Sequence, residues 1–166
     1  MGRGQVGYTV ECGSVPGRLA VRADPETARR LFHTLLCFFP SPSSLCIRYR
    51  EGRATHSRCR DAVGRAEIAE AFESLCEFIF AGRGIQFVVT SDAPAAELRV
   101  AGGGEIQVVA EDLGPFERVV EEFGLPALGG GRLRAAPRLG PRSRLGGESV
   151  TLNNTIERLR LIPTAH

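Results

Sequence analysis

The residue types able to do chemistry in this chain are few, and their spacing decides how far each can go. His33 and Cys37 stand four apart, which puts both side chains on one face of a helix. His56 and Cys59 could complete a two-Cys, two-His set around Zn²⁺. That set conflicts with its own backbone. If residues 53–59 form a strand, side chains three apart point to opposite faces, so His56 and Cys59 diverge. Cys37 and Cys59 fit equally well the description of small buried residues. A Cys59/His56/Asp61 grouping offers a nucleophile, a base and an orienting acid, but triads are assembled in space, and clustering along the chain is poor support for one. No G-x-S-x-G elbow, H-E-x-x-H pair or C-x-x-C occurs, and the glycine runs at 102–104 and 129–131 lack the G-x-G-x-x-G order. The paired carboxylates of Glu111 and Asp112 suit the start of a following helix better than acid–base work.

An omission narrows the chemistry further. All 21 basic residues are Arg, with no Lys. A phosphate-loop nucleotidase needs a lysine ammonium on the β/γ-phosphates, and a Schiff-base enzyme needs a lysine amine. Protein kinases and serine–lysine hydrolases fall with them. The expectation is a chain that is not an enzyme, with no cofactor and no metal site.

Two charged groupings remain as binding surfaces. In "RAEIAEAFESLCEFIF" (65–80), Glu67, Glu70, Glu73 and Glu77 lie along one side of a helix. Like charges at these spacings repel by a few tenths of a kcal/mol per pair, and only Arg65 precedes the stripe. That cost suggests an Arg-rich partner, either another protein or the chain's own basic segments. In "CIRYREGRATHSRCR" (46–60), Arg48, Arg50 and Arg53 share one face of a hairpin with Thr55, while Ile47, Tyr49 and Ala54 occupy the other. Arg58 and Arg60 are expected to extend the positive patch. Such a ribbon could contact phosphates or an acidic protein. The sequence pI of about 8.4 is low for a dedicated nucleic-acid binder.

The elements that must position these residues follow from periodicity. "VGYTVEC" and "RLAVRA" alternate as half-buried strands around a Gly/Pro turn. Asp24 then caps, and Pro25 opens, a helix whose apolar face is Ala28, Leu31, Phe32, Leu35 and Phe39, closed by Pro40 and Pro42. "SLCIRYR" and "RATHSRC" repeat the plan around Glu51-Gly52. The acidic helix follows, with Ile68, Phe72, Leu75 and Ile79 inward and Gly82 and Gly84 as its stop. "IQFVVTSD", "AELRVAG" and "EIQVVAED" precede a third helix, "PFERVVEEF", with Phe116, Val119, Val120 and Phe123 inward. The predicted fold is α+β: a mainly antiparallel sheet of about seven strands with three helices largely on one face, built as three hairpin–helix units.

This organisation implies one domain over residues 1–128. Residues 129–147, "GGGRLRAAPRLGPRSRLGG", read as a disordered Gly/Arg/Pro-rich linker, and residues 148–166 as a short C-terminal segment. Charge is unevenly spread: ten Arg against four acids over 1–60, four against thirteen over 61–122, and seven against two over 123–166. There is no run of eighteen apolar residues, so no membrane partner is expected. The N-terminus lacks a secretory apolar core, and Val6 stands where an N-myristoylation pattern needs Ser or Thr. An odd count of five cysteines without an export signal predicts reduced thiols and an intracellular, cytoplasmic or nuclear, location. The function expected is a protein–protein interaction module, an adaptor or complex subunit. It binds a protein partner through the acidic helix face and the Arg-rich hairpin. The alternatives are a DNA- or RNA-associated protein using the hairpin and tail, and a small cysteine- or zinc-dependent enzyme.

Overall fold

A computed structural model describes residues 6–11, 16–128 and 147–164. Eight strands form one antiparallel sheet: β1 (Gly7–Glu11), β2 (Gly17–Arg22), β3 (Ser43–Glu51), β4 (Ala54–Val63), β5 (Ile85–Asp92), β6 (Ala95–Ala101), β7 (Glu105–Ala110) and β8 (Ile162–Pro163). Four helices accompany them: α1 (Pro25–Leu36), α2 (Arg65–Phe80), α3 (Gly114–Glu122) and α4 (Gly147–Arg158). The α+β architecture is the expected one, with one strand and one helix more. Both additions come from the C-terminal segment, where β8 pairs with β4 through Arg58↔Pro163 and Cys59↔Ile162. The linker expected at 129–147 lies outside the described residues except for Gly147, as do Cys12 and His166.

Strand order is β1-β2-β7-β6-β5-β3-β4-β8. The third hairpin–helix unit is therefore inserted between the first two, because β2 pairs with β7 and β3 pairs with β5. The two-residue period does the rest. Leu45, Ile47 and Tyr49 of β3, Phe87 and Val89 of β5, Leu98 and Val100 of β6, and Ile106 and Val108 of β7 all face one side and are buried. α1 and α2 cover that side with Leu31, Phe32, Leu35, Ile68, Phe72, Leu75 and Ile79, each essentially inaccessible. At the centre Phe32 and Phe72 stack with centroids 3.8 Å apart, and both meet the Phe87 ring edge-on.

Local signals set the helix boundaries. Thr27 N–H donates to Asp24 Oδ1 at 3.0 Å, capping α1. Gly64 N–H donates to Glu67 Oε2 at 3.0 Å, which opens α2. The β3–β4 turn sits one residue later than expected, on Gly52-Arg53, with Glu51 paired to Ala54 and Gly52 at φ 60°. Only Gly104 fits where the backbone of β7 meets the start of α1: at φ 73° a Cβ there would lie 2.0 Å from the Ala23 carbonyl oxygen. Among the described residues no helix is long and apolar enough to cross a membrane.

The aromatic centre gives a stability test. Phe72→Ala removes a fully buried ring between two helices and the sheet, and should lower the unfolding free energy by about 4 kcal/mol. Urea denaturation measures this directly; a loss below about 1 kcal/mol would mean that the ring is not close-packed.

Candidate interaction surfaces

The acidic side of α2 is largely neutralised from within. Glu67 lies 3.4 Å from the Arg60 guanidinium while also capping its own helix. Glu70 pairs with Arg158 of α4. Glu73 bonds Arg29 and, at 2.5 Å, the Nε2 of His33, both on α1. Glu77 alone of the four makes no ion pair among the described residues. The repulsion along the stripe is thus offset by arginines drawn from three other elements. α4 also packs against α2 and buries Leu152 and Thr155, and its C-terminal turn buries Leu159.

The Arg-rich hairpin divides in two. Arg48 and Arg50 alternate with buried Ile47 and Tyr49, so they stand on the face of the sheet that no helix covers. Across from them are Ser57 and Thr55. Arg58 and Arg60 do not extend this patch, contrary to expectation. They pair across the ladder with Ile47 and Leu45 and so project to the helix side, where Arg60 donates to the Leu159 carbonyl at 3.1 Å. Arg53 lies in the turn itself. Nor is the hairpin a free ribbon able to enter a groove, because β3 pairs along Ser44–Tyr49 with β5.

The rest of the uncovered face is mixed in charge. Arg22 approaches Glu105 to 3.5 Å and Arg99 meets Glu97 at 2.6 Å. Burial pushes the Glu105 carboxyl up, against the opposing pull of Gln107 and Arg22. Arg48 differs: it forms no ion pair with any described residue.

The histidines and cysteines are not brought together. His33 is engaged with Glu73, His56 stacks on Tyr49 with centroids 5.2 Å apart, and Cys37 Sγ donates to the His33 carbonyl. Cys59 and Cys46 face each other across β3 and β4 and are joined in a disulfide, S–S 2.01 Å. The expectation of reduced thiols throughout is therefore corrected for this pair. Directly opposed strand positions bring Cα atoms within bonding reach, here 4.1 Å, and no spacing rule along the chain reports that opposition. The bonded Cys59 can serve neither as nucleophile nor as ligand in the grouping with His56 and Asp61. Cys76 is buried, and desolvation raises its thiol pKa, which disfavours the reactive thiolate. Among the described residues no group of three or more His, Cys, Asp or Glu is placed to hold a metal ion.

The Glu73 network makes folding pH-dependent. The Arg29 hydrogen bond holds the Glu73 carboxyl below its ordinary value, against partial burial, and the His33 hydrogen bond lowers it further. A depressed carboxyl adds stability that is complete above its unfolded pKa, near 4.5, and is lost as pH falls through the folded value. Stability should therefore decline below about pH 5, and Glu73→Gln should flatten that decline while costing about 1 kcal/mol at pH 7. Denaturation curves of both proteins from pH 7 to 3 check this; parallel pH profiles would exclude Glu73 as a contributor.

No protein family matches the chain, and neither does any curated protein or solved structure.

Proposed function

We propose that the chain is a non-enzymatic interaction module, an adaptor or subunit of a larger complex, that receives an acidic protein segment on its uncovered sheet face. The observation that carries this reading is the placement of Arg48 and Arg50. They stand on a face without helices, next to each other along β3, and Arg48 has no acidic partner there. Elsewhere on the same face Arg22 and Arg99 are matched by Glu105 and Glu97, while Arg18, far along β2, shares with Arg48 the lack of an ion pair among the described residues. A positive spot of this kind steers an oppositely charged partner and selects against basic ones. Arginine's planar donor fork suits carboxylates in particular.

The acidic stripe contributes less to this reading than its sequence suggested, because three of its four carboxylates already have partners within the chain. Glu77 remains as a subsidiary contact. Nucleic acid is the second reading. The same arginines could meet phosphates, but a β3 strand locked into the sheet favours a flat contact over insertion into a groove.

Affinity purification with identification of the captured proteins by mass spectrometry separates these readings. The double variant Arg48→Glu/Arg50→Glu should lose the captured partner by about tenfold, the equivalent of ~1.4 kcal/mol, with an unchanged melting temperature. Equal recovery by wild type and variant would overturn the assignment of this face. Binding of mixed-sequence DNA or RNA at about 50 mM salt, abolished by the same variant, would replace the protein partner with nucleic acid.

A further inference from the structure

A groove runs across one end of the sheet, away from the Arg48–Arg50 spot. One part is an apolar cleft of about 270 Å³ between the loop after α1, the β5–β6 turn and the loop before α3. It adjoins, at Pro40 and the Ala93-Pro94 turn, a wider and more polar part of about 480 Å³ that reaches the end of β4. Phe38 lines the first part and is 45% exposed, although its neighbour Phe39 is buried in the core. Its ring leans on Phe116, centroids 5.6 Å apart, and so extends an aromatic wall into solvent. An exposed phenylalanine facing small alanines and three prolines (Pro40, Pro94 and Pro115) makes an apolar surface that a globular chain rarely leaves open without use.

The charged residues that line this groove are of one sign; just outside it, the Arg65 guanidinium is held by the Phe39 carbonyl, to which it donates at 2.8 Å. Asp61, Asp92, Glu111 and Asp112 line the groove, and no arginine does. Two of these carboxylates are already engaged in holding the fold: Ser44 Oγ donates to Asp61 at 2.7 Å, and Gly114 N–H donates to Asp112 at 2.9 Å. The side-chain carboxylates of Asp92 and Glu111 have no hydrogen-bond or ion-pair partner among the described residues. The β-bulge opposite Ser43–Leu45, with Ala62 at φ 56°, interrupts the regular ladder where Asp61 joins the groove.

We propose that this groove docks an extended, arginine-bearing segment of a second protein. A proline or leucine seats against Phe38 and Phe116, and guanidinium groups reach Asp92 and Glu111. The apolar wall explains why the segment carries proline or leucine, since a preformed extended backbone loses little entropy on docking to aromatic surfaces. The unmatched carboxylates explain why it carries arginine, whose guanidinium donates to a carboxylate bidentately. This site is separate from the uncovered sheet face and has the opposite charge preference.

Fluorescence anisotropy with a labelled Pro-Leu-Pro-Arg-Leu-Arg peptide tests the proposal, alongside the same peptide with both Arg replaced by Glu. Wild type should bind the arginine peptide and not its acidic counterpart. Asp92→Arg/Glu111→Arg should weaken binding by about tenfold, and Phe38→Ser by about fivefold. These positions are exposed, so both variants should keep the wild-type melting temperature. Arg48→Glu/Arg50→Glu should bind the peptide as wild type does, whatever becomes of the sheet-face reading. The proposal is overturned if wild type binds neither peptide or both equally, or if the groove variants bind as tightly as wild type. A loss of binding confined to the Arg48/Arg50 variant would equally overturn it.

Discussion

One-sided burial of the sheet is the constraint on which the other features depend. Phe32 of α1, Phe72 of α2 and Phe87 of β5 meet in one aromatic centre, so both long helices must lie on the same face. Burying the inward residues of the sheet supplies the main driving force for folding, at roughly 25 cal/mol per Å² of apolar surface. The opposite face is then left without helices. It has to be solvated, and the alternation of each strand hands it Arg22, Glu97, Arg99, Glu105 and Gln107 beside Arg48 and Arg50. Long arginine stems covering the sheet account for how a charged residue such as Glu105 comes to be only 4% exposed there.

Charge is arranged around that frame in two ways. On the helix side, carboxylates and guanidiniums from distant parts of the chain cancel: Arg29 with Glu73, Arg60 with Glu67, Arg158 with Glu70. Each such exposed pair contributes at most about 1 kcal/mol, but together they relieve the repulsion that an isolated α2 would suffer. On the uncovered face and at the sheet end the matching is incomplete. Arg48 on one, and the Asp92 and Glu111 carboxylates on the other, have no ion-pair partner among the described residues. The two places are of opposite sign and lie at opposite ends of β3, a separation on which both proposals rest.

Much of the fold was legible because the periods were clean. Ile47/Tyr49 against Arg48/Arg50, and Phe72/Leu75/Ile79 against Glu70/Glu73/Glu77, distinguish strand from helix and inside from outside without any knowledge of neighbours. Asp24-Pro25 marks a helix start, and Gly82 with Gly84 a helix stop, by local stereochemistry alone. The same two-residue period already implied that Arg58 and Arg60 turn away from Arg48 and Arg50. The partnering of strands was another matter. That β7 slots beside β2, and β5 beside β3, depends on which edges can close one continuous buried face, and that is a property of the whole assembly.

The sequence by itself determined the element types, the buried face of each, and the chemistries closed to a chain without lysine, because these follow from side-chain identity and from periods of two and 3.6 residues. Only the tertiary structure decided that α4 lies along the acidic helix, that Cys46 meets Cys59, and that Phe38 and four carboxylates share a groove. Those outcomes join residues from 13 to 88 positions apart. Contacts at such separation depend on how strands are ordered and helices docked, and no local pattern encodes them.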